Sequence, residues 1–413
     1  MERNQNNNQQ LEQATPLDGA SRLHHIDSIR GFALFGILIV NMLAFQYGRI
    51  GYQFALPDFP WYDQIIYIII EWLFLGSFYP IFSILFGFGA VMMWENADSK
   101  GNSANKLFLR RFLLLLIIGL VHLYFIWDGD ILVTYAVAGL FLLFFLKRQP
   151  KTMLVWVVIL AVVVNVVSVS GETGEAIDFS HYLELERDVY AHGTYREVVA
   201  LRLTVNPIEK LDFGLDAGSV GHQMLVSVIT VTNHVILVCQ ALMLFLLGAM
   251  IAKKRWLHRI KEHRHFLRNM AVLFGVLGVA LKGGMVVTQH PLLEGYGYIL
   301  GGPFLAIAYI AIFALLFDCY GPTRWFRGFS YVGRLALTNY LLQSIVMTTI
   351  FYGYGFGLFG KVGLLVGMVL ATGYFVVSVV LSRWWLTRFT LGPAEWVWRA
   401  GTYFRLPRLK KVR

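Results

Sequence analysis

The stretch FLRRFLLLLIIGLVHLYFIWDGD, residues 108–130, opens with a pair of arginines, continues as an apolar run in which His122 is embedded, and closes on Asp128-Gly129-Asp130. A helix crosses the hydrocarbon core of a bilayer in about 20 residues, and the apolar part of this stretch, roughly 108 to 127, has that length. Basic residues are retained on the cytoplasmic side of a membrane, so the arginines mark the inner end and the two carboxylates the outer turn. Working outward, further apolar stretches of helical length lie at roughly 31 to 48, 76 to 95, 131 to 146, 152 to 170, 224 to 252, 269 to 288, 296 to 318, 330 to 352 and 362 to 386. The chain is 57% hydrophobic and 15% charged, against about 45–50% and about 25% in soluble domains, which excludes a soluble enzyme. The predicted fold is all-α, a polytopic integral membrane bundle of about ten transmembrane helices whose solvent is the lipid bilayer.

The apolar piece from Trp61 to Leu75 is separated from the next stretch by only five residues, 76–80, and the charge distribution decides how it is counted. If it stays on the outer side as a re-entrant or interfacial helix and the N-terminus is inside, only Arg49, Arg187, Arg196, Arg202, Lys210, Lys282 and Lys361 of the 35 basic residues fall outside. If it crossed with the N-terminus still inside, Lys253-Lys254-Arg255 and Lys410-Lys411 would be exported, against the positive-inside bias. An eleven-span alternative with the tail outside moves only the tail and Arg49, and ten spans are preferred. Five segments follow: a disordered cytoplasmic tail at 1–25, a transmembrane half at 26–170, an extracytoplasmic cap at 171–222, a second transmembrane half at 223–390 and a basic cytoplasmic tail at 391–413. Within the cap, Phe179, Tyr182, Leu183, Val189 and Tyr190 recur at helical spacing, which predicts an amphipathic helix on the membrane surface or over the bundle mouth.

A net charge of +10 is ordinary for an integral protein and calls for no nucleic acid. The two cysteines, Cys239 and Cys319, lie in apolar spans and offer neither a disulfide framework nor a zinc site. The soluble-enzyme signatures, Gly-x-Ser-x-Gly and the phosphate loop among them, are absent, and neither a metal nor a resident cofactor is called for. Chemistry is therefore sought among polar groups inside spans, where an ionised residue costs about 2.5–3.5 kcal/mol on the insertion scale. Asp27 and Arg30 stand three apart at the entrance of the first span, and read either as a helix-entry ion pair or as an anion site. His122 lies about 9 Å deeper than Asp128 at the helical rise. It is either an interhelical hydrogen bonder beside a tight Asp-Gly-Asp turn, or a general base oriented by Asp128 or Asp130. Asn41, Glu71, His234, Asn339 and Gln343 complete the buried set as acceptor or cavity residues, with interhelical bonding the alternative for Asn339 and Gln343. Lys282, before Gly283-Gly284, is expected to snorkel to the outer surface.

Several stretches taken together carry a resemblance. They are Arg22-x4-Asp27-x2-Arg30-Gly31 with Asn41-Met42, the Phe-Ser-x-Leu-Phe-Gly run from Phe82 to Gly87, Gly119-x2-His122 with Gly129-Asp130-Ile131-Leu132, the segment from Gly333 to Ser344, and Gly392-Pro393-x-Glu395-Trp396-x-Trp398-Arg399. From about residue 22 to 404 the chain resembles the YeiB family of bacterial membrane proteins, which implies the bacterial cytoplasmic membrane. The first span also resembles, more distantly, the transmembrane acyltransferases, through Asp27, Arg30 and Gly31. That likeness implies acyl transfer from cytosolic acyl-CoA, as co-substrate, to an extracytoplasmic acceptor such as a glycan. The acyltransferases' catalytic histidine has no counterpart between Phe45 and Trp61, so the role falls to His122, with Asp27 and Arg30 at the donor mouth. Two other readings compete. A transporter of a small solute or lipid-like molecule is suggested by five spans on either side of the cap, the parity of inverted repeats; the other is a non-catalytic membrane interaction protein.

Overall fold

In the computed structural model, α1, His24–Tyr47, runs through the centre of the bundle, and Ile29, Ala33, Leu34, Leu38 and Met42 along it are fully enclosed. The structure describes residues 23–55, 59–98, 104–170, 179–210, 216, 219–288 and 291–411. Among the described residues every element is helical, apart from one isolated bridge between Phe389 and Lys410. Of the tail expected to be disordered, residues 1–22 lie outside the described residues.

Around α1 stand α2, Trp61–Ile69, prolonged by a π-helical turn Ile70–Phe74; α3, Phe78–Asp98; α4, Ala104–Val121, prolonged by a π-helical turn His122–Ile126; α5, Leu132–Leu142; and α6, Pro150–Ser170. Two cap helices follow, α7, Ser180–His192, and α8, Tyr195–Thr204. The second half holds α9, Val220–Lys253; α10, Arg264–Thr288; α11, Gly302–Tyr320; α12, Arg324–Arg334; α13, Ala336–Phe351; α14, Leu364–Arg388; and α15, Pro393–Tyr403. Among the described residues, eight helical stretches are long and apolar enough to cross a membrane, and α5 and α13 are shorter apolar helices. The protein is a polytopic helical membrane bundle.

Small residues set the spacing, because lipid-embedded helices gain most where backbones approach closely. A Cβ on Gly31 would meet the Phe329 carbonyl, and one on Gly333 the Asp27 carbonyl, so α1 and α12 touch backbone to backbone. The same device joins α3 to α9 through Gly87 against Phe245 and Gly248 against Ile84. Close packing is thus what Gly87 of the Phe82–Gly89 stretch provides, whereas Gly89 faces the Arg30 guanidinium and lines the cavity described below.

One boundary differs from expectation. The span placed at 330 to 352 divides at Leu335 into amphipathic α12 and apolar α13. Between α2 and α3 the chain leaves helical geometry at Leu75 and turns at Gly76, whose φ of +73° suits a residue without a side chain. Lys282 does not snorkel. It is fully buried, and its Nζ donates to the Leu75 carbonyl at 2.6 Å, because the break at Leu75 exposes a carbonyl that the apolar interior must satisfy. The C-terminal segment is also more than a tail: α15 folds back onto α4, where the Trp398 indole donates to the Arg111 carbonyl at 2.8 Å.

The starts of α1 and α4 and the end of α14 gather with α15 at one end of the bundle, the arginine end. At the other, the cap helix α7 lies over the bundle mouth. Tyr190 stacks on Tyr352 with centroids 4.4 Å apart, and its carbonyl accepts from Gly353 at 2.8 Å.

Candidate functional site

α1, α3, α4, α5, α13 and α15 enclose a cavity of about 240 Å³. At the arginine end its wall carries Asp27, Arg30, Arg111, Arg334, Glu395 and Arg399, and deeper it becomes apolar and aromatic with Leu34, Phe82, Phe86, Leu115, Tyr135 and Tyr340. Four of these charged groups have a local reason to be there. Asp27 and Arg30 share a face of α1, with Arg30 donating to Asp27 Oδ1 at 3.4 Å and keeping 29% of its side chain exposed. The Arg111 guanidinium sits 3.5 Å from the centroid of the Trp398 ring, a cation over an electron-rich face. Glu395 reaches from α15 to the start of α13, where its Oε1 accepts the backbone N–H groups of Leu337 and Thr338 at 2.7 and 3.2 Å. A carboxylate on the first-turn amides of a helix is favoured by the dipole and fills donors that the helix cannot satisfy itself. Burial pushes the Glu395 carboxyl up, and its bonds from Thr338 oppose that. Four guanidinium groups against two carboxyl groups make this mouth an attractor of anions.

One turn beyond the deep end of the cavity lies a second polar layer. The π-helical turn that ends α4 presents His122, which is fully enclosed, and the Nδ1 of His122 is 2.8 Å from Asp130 Oδ1. The other oxygen of Asp130 accepts the Val133 N–H at 2.8 Å, fixing the carboxylate at the start of α5. Nε2 of His122 is 2.9 Å from the Ser344 hydroxyl on α13, and the Tyr340 ring packs 5.1 Å from the imidazole. In the neutral imidazole, with the carboxylate oxygen only accepting, the Nδ1 proton points at Asp130 and the Nε2 lone pair faces Ser344. This is the arrangement in which an imidazole can take a hydroxyl proton.

Asp128 points elsewhere. Its Oδ1 is 3.9 Å from Arg202 Nε beneath the cap, and its carbonyl accepts from Arg49 at 3.1 Å. Of the two carboxylates considered as partners of His122, Asp130 is the one in contact. Near Asp128 the Glu186 carboxyl of α7 is buried and accepts from the Tyr182 hydroxyl at 3.3 Å. Burial, reinforced by the Asp128 charge, pushes it up to about 8.

Five expected site residues stand outside both layers, two of them, Asn41 and Glu71, half-buried. Asn339 Nδ2 donates to the carbonyls of Val332 and Leu335 and to Ser382 Oγ, tying the α12–α13 break to α14. Gln343 donates to the Leu34 carbonyl at 3.4 Å. These two do not line the cavity; they are interhelical bonds, because each amide meets backbone acceptors first. His234 is not buried: it sits on an exposed face of α9, with Nδ1 2.7 Å from the Thr230 carbonyl of its own helix. Glu71 lies on the π-helical turn after α2, in the electrostatic neighbourhood of Lys282. Asn41 is half-buried on α1.

Sequence reasoning missed Ser344, Arg111, Arg334, Glu395 and Arg399. Arginines at span ends look like ordinary anchors, and a serine inside a span costs little, so neither type announces itself. The signal that was available is position: four of the five lie in motifs quoted for the family resemblance, and Arg111 opens the stretch that carries His122.

The family described as Protein of unknown function (DUF418) matches residues 251–405. Over most of its length the chain is similar to the uncharacterized protein YxaH of Bacillus subtilis (strain 168), 33% identical over 394 residues that cover 92% of this chain and 94% of that protein. It is also similar to an uncharacterized 39.9 kDa protein in the amylase 3' region of Bacillus acidopullulyticus, 28% identical over 392 residues covering 94% and 96%. The uncharacterized protein YeiB of Escherichia coli (strain K12) is 27% identical over 405 residues covering 91% and 94%. No solved structure matches. The central helix, the buried His122 layer and the returning C-terminal helix therefore describe a member of the YeiB family of DUF418 membrane proteins, to which this chain belongs.

Proposed function

We propose that the protein is a transmembrane acyltransferase, passing an acyl group from cytosolic acyl-CoA to an acceptor on the far side of the membrane, with the arginine end facing the cytoplasm. The observation that carries this reading is one cavity with two unlike ends: an arginine-lined mouth, and an apolar bore that stops at Tyr340, whose ring packs against His122. Guanidinium groups suit phosphate by their planar donor fork, so Arg30, Arg111, Arg334 and Arg399 are the donor's phosphate ligands. A volume of about 240 Å³ lies below the ≈ 300–1,000 Å³ of ordinary ligand pockets. It suits a slender thioester arm with its nucleotide left at the mouth. One turn beyond the inner tip His122, oriented by Asp130, is the general base. Asp128, on the cap side of that layer, belongs to the acceptor entrance.

The test is thermal unfolding of the purified protein in mild detergent with acetyl-CoA, longer acyl-CoAs, free CoA and unrelated nucleotides. A ligand that binds only the folded state stabilises it by about 2.7 kcal/mol at a hundred times its Kd. Saturable stabilisation by CoA species, weakened in Arg30→Ala and Arg399→Gln, is expected. If no CoA species shifts the transition of the folded protein, the enzyme reading fails. Uptake of an unmodified solute into proteoliposomes would then be sought, because groups from both halves of the chain, Arg30 and Arg399 among them, line the same cavity.

A further inference from the structure

The geometry points to Ser344 as a covalent carrier of the acyl group, the nucleophile of a membrane-buried Asp130–His122–Ser344 triad; this rests on the acyl-transfer reading above. His122 has one lone pair for proton abstraction, and the hydroxyl that occupies it, at 2.9 Å, is that of Ser344. An external acceptor can use His122 directly only by displacing that serine. The hydroxyl is also free of the bond that usually occupies a serine or threonine inside a helix, to the carbonyl one turn back. Ser83, Ser378 and Thr402 make that bond, to Tyr79, Tyr374 and Trp398. Among the described residues, the hydrogen bond of Ser344 Oγ goes to His122 instead.

Position agrees with chemistry. Leu337 and Tyr340 of α13 line the cavity, and Ser344 follows at the three-and-four spacing that keeps residues on one helix face. It stands about 6 Å beyond Tyr340 at the helical rise, so the bore leads along α13 toward the serine, with the Tyr340 ring between them. Asp130, held by the Val133 N–H, keeps the imidazole in the tautomer that accepts from serine. Nucleophile, base and orienting acid thus come from α13, the end of α4 and the start of α5, the relationship by which an activated hydroxyl is recognised on unrelated folds.

The chemistry divides into two balanced halves. Ser344 Oγ attacks the thioester carbonyl carbon while its proton passes to His122 Nε2. The carbon–sulfur bond breaks, the departing sulfur takes that proton, and free CoA thiol leaves with an oxygen ester on Ser344. An acceptor hydroxyl then gives its proton to Nε2 and attacks the ester carbonyl. The acyl–serine bond breaks, and Ser344 Oγ recovers the proton. Nothing is oxidised or reduced.

The experiment incubates full-length protein in detergent with radiolabelled acetyl-CoA and no acceptor, quenches in acid, and follows protein-bound label, released CoA and the modified peptide by mass spectrometry. The expected result is label approaching one acyl group per chain, located on Ser344, with a matching burst of CoA. Label is lost in Ser344→Ala and falls at least tenfold in His122→Ala. Ser344→Cys guards against a variant that fails to fold. It keeps the size of the side chain and turns the adduct into a thioester, which neutral hydroxylamine cleaves far faster than the serine ester. If acetyl-CoA stabilises the wild-type protein but no label forms on Ser344, the carrier role is overturned and the donor site stands. If Ser344→Ala retains the wild-type rate of CoA release, Ser344 is only a positioning residue for His122 and the proposal falls. Absence of both stabilisation and CoA release from folded wild-type protein overturns the acyltransferase reading itself.

Discussion

In the proposed reading His122 is the residue on which the chemistry turns, because a fully enclosed imidazole with a carboxylate on one nitrogen and a hydroxyl on the other is oriented before any substrate arrives. Asp130→Asn keeps an oxygen to accept the Val133 N–H, so the start of α5 is preserved while the orienting charge is lost. Acyl transfer is expected to fall about 10²–10⁴-fold, the range for removing a positioned acid–base function, with an unchanged unfolding temperature; a fall of less than threefold would dismiss Asp130. Glu186 supplies a prediction of opposite kind. Its folded-state carboxyl holds a proton up to about 8, whereas an unfolded glutamate releases it near 4.3. Between those values the folded state binds more protons, so the contribution to stability is full at the acid end and is lost as pH rises toward 8. Glu186→Gln is expected to raise the unfolding temperature at pH 8 and to flatten its dependence from pH 5 to 8. Paired thermal scans of the two proteins check the slope.

At the scale of elements, glycine-mediated approach is the force that fixes this bundle. A Cβ on Gly248 would enter the Ile84 carbonyl, whereas one on Gly373 of α14 meets nothing within 4 Å. Gly248→Ala should therefore cost about 1–3 kcal/mol by overpacking, despite alanine's better helix propensity. Gly373→Ala should be neutral, or stabilising by up to about 1 kcal/mol. Comparing midpoints of detergent-mediated unfolding for the two variants separates packing from propensity, and equal midpoints would refute the close contact. The α2–α3 break works by a related logic. Lys282 satisfies the Leu75 carbonyl that the turn at Gly76 exposes, so Lys282→Met leaves that carbonyl without its donor and should cost about 1–3 kcal/mol.

For the whole molecule, the proposed orientation, arginine end inward, rests on the positive-inside bias. Glu184 on the cap and Arg408 beyond α15 are both exposed and belong to opposite ends of the bundle. In a background with Cys239 and Cys319 replaced, Glu184→Cys should react with a membrane-impermeant maleimide in intact cells, and Arg408→Cys only after permeabilisation. The reverse pattern would invert the proposed direction of transfer. In the proposed function the same architecture separates the tasks along one axis, with the proposed phosphate ligands at the arginine end, the proposed base in the middle and the cap beside Asp128.

The sequence by itself determined the membrane, the all-helical bundle and the cost of placing His122, Asp130, Asp27 and Arg30 where they stand, because burial in hydrocarbon is read off one residue at a time. The family likeness was legible for the same reason, in local motifs. Tertiary structure alone decided that Asp130 rather than Asp128 meets His122, that Ser344 from a helix more than two hundred residues away completes the layer, and that Arg111 and Arg399 share a cavity. It also placed His234 on an exposed face and turned Asn339 and Gln343 into interhelical bonds. Those outcomes depend on which faces of distant helices meet, and a backbone approach set by Gly31, Gly87, Gly248 and Gly333 is a property of pairs of helices that neither member carries alone.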